Sequence, residues 1–370
     1  VRDVIRRLAR AARRRLGRDD RGVVGVITGL MIGAVLLGLG AVVIDVGQLY
    51  QERAELQSGA DAAALAVAKS CVTGTCSSAL AGQYADANAS ELTGRNAAVS
   101  LVCGLGATLG ACPAGTSAMT SCPSAPPAGL GYVDVSTSTQ TSGGSTVIAP
   151  VLAKELLGNG SYTGTTVLAC AQAAWGGPTS ANTVAFAISA CSWDSWTSKG
   201  TNFAPAPPIV PASSYDHQLN LNKLNNGTNC SGEPSGSDGA GAFGWAVDQT
   251  GNCGIFTNSA TFPADTGASA GSTCHTALIA AQTSRKAIFL PVYTTDTGTG
   301  SNTVLALKGF AAFVVTGYSL PGFSASDWLK SSNNSCSFKC IDGYFTKALI
   351  PGASSEGGAY LGAAAVGLSG

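Results

Sequence analysis

The stretch VVGVITGLMIGAVLLGLGAVVIDVGQLYQERAELQSGADAAALAVAK, residues 23–69, decides the architecture. Its first half, Val23–Ile44, carries no charge and one polar side chain, Thr28. As a helix it is about 33 Å long, enough to cross a bilayer core of roughly 30 Å. A core helix of a soluble protein rarely lacks a polar face over about six turns. The second half changes character. Val46, Leu49, Tyr50, Leu56, Ala60, Ala63 and Val67 recur at helical spacing, with Gln51, Glu52, Glu55 and Ser58 on other faces. Alanine, the strongest helix former, fills Asp61–Ala68. The reading is one continuous helix, a transmembrane segment over 23–44 and a stalk over 45–70.

The flanks orient it. Residues 1–22 hold nine arginines against three aspartates, a basic cytoplasmic tail by the positive-inside rule. Val1, Val4, Leu8, Ala12 and Leu16 give that tail an amphipathic pattern suited to an anionic leaflet. The rest of the chain is net acidic and belongs outside. A cleaved signal peptide has an apolar region of about 7–15 residues ending at small residues. The run here is longer and leads into a polar helix, so an uncleaved single-pass anchor is expected.

Cysteine usage agrees. All 12 cysteines lie at or beyond Cys71, and an even number on the outer side implies disulfides. Cys71 with Cys76, and Cys336 with Cys340, are spaced to close small loops, while the full connectivity stays open. Zinc is disfavoured, because there is no C-x-x-C pair and only two histidines.

Beyond the stalk the chain reads as α+β with mainly antiparallel strands. Ala97–Cys103, Gly131–Thr139 and Gly164–Trp175 are expected strands, and Val147–Leu157 an expected helix. Gly176–Ser180 (GGPTS) separates a first α+β part, 71–177, from a strand-rich, loop-rich part, 178–370. That part should hold strands over Thr183–Cys191, Ala287–Tyr293, Thr303–Tyr318 and Cys340–Leu349. The stretch between Ser192 and Ser284 reads as a loop-rich insert stapled by cysteines 230, 253 and 274.

The residues around the anchor resemble a family. Arg21-Gly22, the apolar span, Asp45-Val46-Gly47, Leu49-Tyr50, Leu56-Gln57 and Asp61-Ala62-Ala63-Ala64-Leu65 are similar to the N-terminal region of Tad (Flp) pilus-assembly proteins of the TadE/TadG-like group. The stretch from Tyr132 to Trp175 is similar to that group as well. Gly309–Tyr318 and Cys340–Phe345 are similar to its actinobacterial members. The resemblance implies an accessory or minor component of a surface pilus machine. Processed pilins of such systems are cut after a glycine and carry Glu five residues on. Gly22 fits, but the fifth residue is Ile27, which argues against processing.

Other motifs point nowhere catalytic. Some TadG-like proteins carry a D-x-S-x-S metal loop, and Asp134–Ser138 matches its letters. That loop follows a fully apolar parallel strand. Gly131–Thr139 alternates, so Asp134, Ser136 and Ser138 are expected as solvated positions on a half-exposed face. Gly267–Gly271 spells G-x-S-x-G without the strand before it or the acid and histidine order after it. Gly104–Gly110 has no following helix to make a phosphate cradle. His217 reads as a surface turn.

Gly25, Gly29 and Gly33 put two consecutive G-x-x-x-G steps on one face of the span, a surface on which two backbones in lipid approach closely. The expectation is a non-enzymatic, single-pass cell-membrane protein without cofactor or metal. Its partners are the bilayer and other pilus-assembly membrane proteins or pilin subunits, with no nucleic acid or small-molecule substrate. The alternative is an anchored surface-binding, adhesin-like module.

Overall fold

A computed structural model describes residues 20–89, 95–113, 129–141, 143–150, 152, 163–220, 245–257, 260–265, 271–298, 302–330, 339–351 and 356–369. Helix α1, Asp20–Val72, runs unbroken for 53 residues, about 80 Å at 1.5 Å per residue. It has no proline, and its glycines lie chiefly in the apolar half. It stops at Thr73-Gly74, where Gly74 takes φ +103° and donates its N–H to the Cys71 carbonyl at 3.1 Å. The Cys71–Cys76 disulfide spans this turn.

Helix α2, Leu80–Asn88, then returns along α1 with Ala81 and Ala85 buried. The two helices meet at a glycine. A β-carbon placed on Gly59 would lie 2.7 Å from the Ala85 carbonyl oxygen.

Strands β1 (Arg95–Leu105), β2 (Gly131–Thr141) and β5 (Leu168–Pro178) form an antiparallel unit, with Val102 opposite Val135 and Val135 opposite Ala171. Between β2 and β5, β3 (Val147–Ile148) and β4 (Thr165–Thr166) make a short antiparallel pair. This corrects the expected helix at Val147: the β-branched Val-Ile pair finds a strand partner, and residues 151 and 153–157 lie outside the described set.

One face of the unit receives α1. Leu56, Ala60, Ala63, Ala64 and Val67 pack with Val133, Val135, Ala169, Ala171 and Ala173 in one buried cluster. Full burial of Leu56 and Val67 stabilises by roughly 1.5–3 kcal/mol each.

The opposite face is a second correction. Asp134 is half-buried, and Ser136 and Ser138 are only 2% and 6% exposed. Gln172 donates Nε2–H to Asp134 Oδ1 at 2.8 Å and accepts the Ser369 hydroxyl at 2.8 Å. The Cys103–Cys112 disulfide lies beside the same carboxylate. Burial raises the Asp134 pKa, and the Gln172 hydrogen bond opposes the shift. Alternation separates the two faces of a strand but does not say what covers either one.

The second half is built on β13 (Val304–Leu320). It pairs antiparallel with β12 (Ile288–Thr297), with β14 (Phe323–Ala325) and with β15 (Cys340–Thr346). Phe313, Phe345, Leu290 and Tyr318 pack there against Leu278 of helix α4 (Ser272–Ser284). The expected strand over Thr183–Cys191 is split into β6 (Ala181–Val184), β7 (Ile188–Ser189) and the start of helix α3 (Ala190–Trp196), where Ser189 Oγ caps the amide of Ser192. The supposed loop-rich insert contains regular structure: β8 (His217–Asn220), β9 (Trp245–Ala246), β10 (Gly254–Thr257), β11 (Thr261–Asp265) and α4, with Cys253 bonded to Cys274. Residues 221–244 lie outside the described set. His217 opens β8, half-buried, and stacks on Trp196 with ring centroids 5.4 Å apart, so it is not a surface turn.

The last described strands join the halves. After β15 and β16 (Ala348–Leu349), strand β17 (Glu356–Tyr360) pairs with both β5 and β13, and β18 (Ala363–Leu368) pairs with β5. The boundary read at Gly176–Ser180 overlaps the end of β5, which runs to Pro178. Its glycines serve close approach, since a β-carbon on Gly177 would meet the Ala359 carbonyl and one on Gly358 the Pro178 carbonyl.

Two tests follow from this packing. Gly→Ala in an open helix stabilises by about 0.5–1 kcal/mol. At Gly59 the sign reverses, and Gly59→Val costs about 1–3 kcal/mol by overpacking against backbone, read as a lower denaturant midpoint. The second concerns Asp248. Burial works against its charge, but hydrogen bonds from the Cys253, Gly254 and Thr250 amides and the Thr273 hydroxyl outweigh it and hold the carboxyl down at about 2. The folded value lies below the ordinary carboxyl value of 3.8, so the contribution is full above that pH and is lost as pH falls toward 2. Amide exchange at Cys253 and Gly254 should quicken over that window in the wild type and show no such step in Asp248→Ala.

Candidate membrane-spanning and assembly helix

The two halves of α1 meet different surroundings. Among its apolar residues, Val23, Leu30, Leu37 and Val43 are 58%, 69%, 72% and 70% exposed. From Leu56 onward the helix is seated on the sheet, with Leu56 1% and Ala60 0% exposed. Among the described residues this is the one helix long and apolar enough to cross a membrane, and only 6% of its most apolar window is buried. A soluble core helix would be covered. A contiguous bare surface of this kind marks an interaction site for lipid or protein.

The transition is built by polar clamps. Asp45, the first charge after the span, accepts the Leu152 N–H on its two oxygens at 3.2 and 3.3 Å. Gln57 reaches the Cys170 carbonyl at 3.0 Å and Asp61 Oδ1 at 2.8 Å through Nε2. Thr137 of β2 donates its hydroxyl to the Leu56 carbonyl at 3.1 Å. Where α1 ends, Tyr360 of β17 contacts the Val72 carbonyl at 3.5 Å.

The residues singled out from sequence fall into three groups. Leu56 and Ala63 are buried in the seat, and Leu49, Ala62 and Leu65 are half-buried at its rim. Asp45, Gln57 and Asp61 are the clamps. Tyr50 is 72% exposed and Val46 43%, so the upper part of the predicted stripe is not seated, while Glu52, placed on a polar face, is buried. Helical period fixes which residues share a face, but the sheet reaches only part of that face. Gly25, Gly29 and Gly33 have no atom within 4 Å of an added β-carbon, which leaves this row open.

Cys71–Cys76 forms as expected. Cys340 is disulfide-bonded, as are Cys170 and Cys191, and Cys336 lies outside the described residues. Cys103, Cys112 and Asp134 converge within 4.8 Å, a metal-like cluster by distance. The two sulfurs are joined to each other, so neither is a thiolate ligand.

Sequence reasoning missed Gly59, Thr137 and the Asp45–Leu152 contact. Only the first left a trace, in the small residues Ala60 and Ala63 beside it and Ala81 and Ala85 four apart.

Residues 22–70 match the family model of the putative Flp pilus-assembly TadE/G-like proteins. The resemblance read from the sequence thus holds over the helix that is half bare and half seated. The match ends one residue before Cys71, and the disulfide-bonded part lies beyond it. Comparison with curated proteins and with solved structures finds no match.

The clamp geometry predicts a contrast between neighbouring residues. Gln57→Ala removes a half-buried hydrogen bond across the seat and should lower stability by about 1 kcal/mol. Tyr50→Ala, on the bare side, should stay within about 0.5 kcal/mol of wild type. Denaturant unfolding of the full chain in detergent, followed by tryptophan fluorescence, reads both.

Proposed function

We propose that this chain is a membrane-anchored accessory factor or minor subunit of a Tad (Flp) type pilus system. What carries the reading is the half-bare, half-seated helix over the residues that match the pilus-assembly family. The bare half suits the bilayer, with the arginine-rich residues 1–22 on the cytoplasmic side and the disulfide-bonded part outside. In this reading the helix holds the ectodomain at a set height above the membrane. The open row of Gly25, Gly29 and Gly33 takes a neighbouring helix from another assembly protein or a pilin. The reading gives the chain no catalytic chemistry.

Deletion of the gene should abolish or sharply reduce surface pili, with restoration by the wild-type chain. Complementation with the Gly29→Leu/Gly33→Leu double variant should restore membrane insertion, while cross-linking to its membrane partner falls about ten-fold, the equivalent of roughly 1–2 kcal/mol of helix contact. Protease added to intact cells should digest the part beyond residue 45. Normal pili with lost surface adhesion would instead favour an anchored binding module, and a protected C-terminal half would refute the orientation.

A further inference from the structure

Away from the helix, a groove of about 390 Å³ opens between three segments of the second half. One wall is the exposed apolar pair Ile209 and Val210, 62% and 61% exposed, on the connection between α3 and β8. The facing wall is the end of α4, where Arg285 and Lys286 stand exposed. The floor is Trp328 and Tyr344.

Several features of this groove are those of a binding site. Arg285 lies over the Trp328 ring, its guanidinium carbon 4.5 Å from the centroid, so an aromatic plane orients the fork. Trp328 is in turn fixed by its Nε1–H donated to the Val315 carbonyl at 3.2 Å. Neither Arg285 nor Lys286 has an acidic partner among the described residues, although residues 45–370 are net acidic. Tyr344 is 1% exposed and lines the groove. The volume falls at the small end of ligand sites, about 300–1,000 Å³.

We infer that this groove binds a short peptide segment of a partner protein bearing a carboxylate next to apolar side chains. Arg285 and Lys286 take the carboxylate, Tyr344 donates its hydroxyl to it or to an adjacent carbonyl, and Ile209 and Val210 cover the apolar side chains. The charge calls for an anion. The apolar wall calls for a body that is not a sugar, since one side of the groove offers a saccharide hydroxyl no donor or acceptor side chain. The inference does not depend on the pilus reading.

The test uses the full chain in nanodiscs of neutral lipid. A fluorescein-labelled pentapeptide of two glycines, two leucines and a terminal aspartate is compared with its amidated asparagine analogue by anisotropy. Expected are binding of the acidic peptide alone, weakening with salt, a loss of about ten-fold in Arg285→Gln and a smaller loss, about three-fold, in Tyr344→Phe. Lys286→Gln, at an exposed site, serves as a further variant whose folding is not at risk. Circular dichroism checks that each variant is folded. Equal binding of the neutral analogue, or wild-type affinity in folded Arg285→Gln and Lys286→Gln, overturns the proposal. So does Arg285-dependent capture of polygalacturonate in place of the peptide, which assigns the groove to sugar acids.

Discussion

The seat of α1 on the β1–β2–β5 unit is the contact on which the rest of the molecule depends. Alanine dominates both sides of it, with Ala60, Ala63 and Ala64 from the helix and Ala169, Ala171 and Ala173 from the strand. Small side chains bring helix and sheet axes close, and close-packed interiors tolerate little deviation from such a fit. Because α1 is one continuous helix, fixing its lower half also fixes the direction of its upper half. The bare span therefore continues the axis of the seated half rather than swinging on a linker.

That rigidity is reinforced from the far end of the sequence. Strand β17 lies between β5 and β13, and β18 runs beside β5, so the last described residues pair with the strand that carries the helix. Close approach at Gly177 and Gly358 makes this junction one without side chains. A force applied to the second half thus reaches α1 through backbone pairing and does not pass through a flexible connection. The Cys71–Cys76 and Cys103–Cys112 bridges close the turns next to the seat.

A bare helix, a rigid seat and a grooved second half are the three surfaces from which the proposed function is built. The helix supplies an apolar surface that only lipid or another helix covers. The seat fixes height and orientation. The groove at Arg285 and Tyr344 gives the second half a surface of its own, chemically distinct from the helix. The family match covers the helix, including its side of the seat, and stops before the strands and the groove.

The linear sequence determined what depends on neighbours along the chain. An uncharged run over residues 23–44 and alanine richness over 61–68 dictate helix through local propensity and periodicity, and the structure has one helix across both. The alternation in Gly131–Thr139 dictates a strand in the same way, and the short spacing of Cys71 and Cys76 allows one bridge. Only tertiary structure decided what each face meets. Ser136 and Ser138 alternate as surface residues do, yet they are buried, and the Cys103–Cys112 disulfide and Ser369 stand over the same face. Val46 and Tyr50 share the stripe of Leu56, yet the sheet does not extend to them. Gly176–Ser180 reads as an internal boundary, yet Gly177 lies in a strand where its missing side chain admits Gly358 and Ala359, residues far away in sequence. Burial and close approach are properties of pairs brought together from distant positions, and a one-dimensional pattern carries no information about which pairs those are.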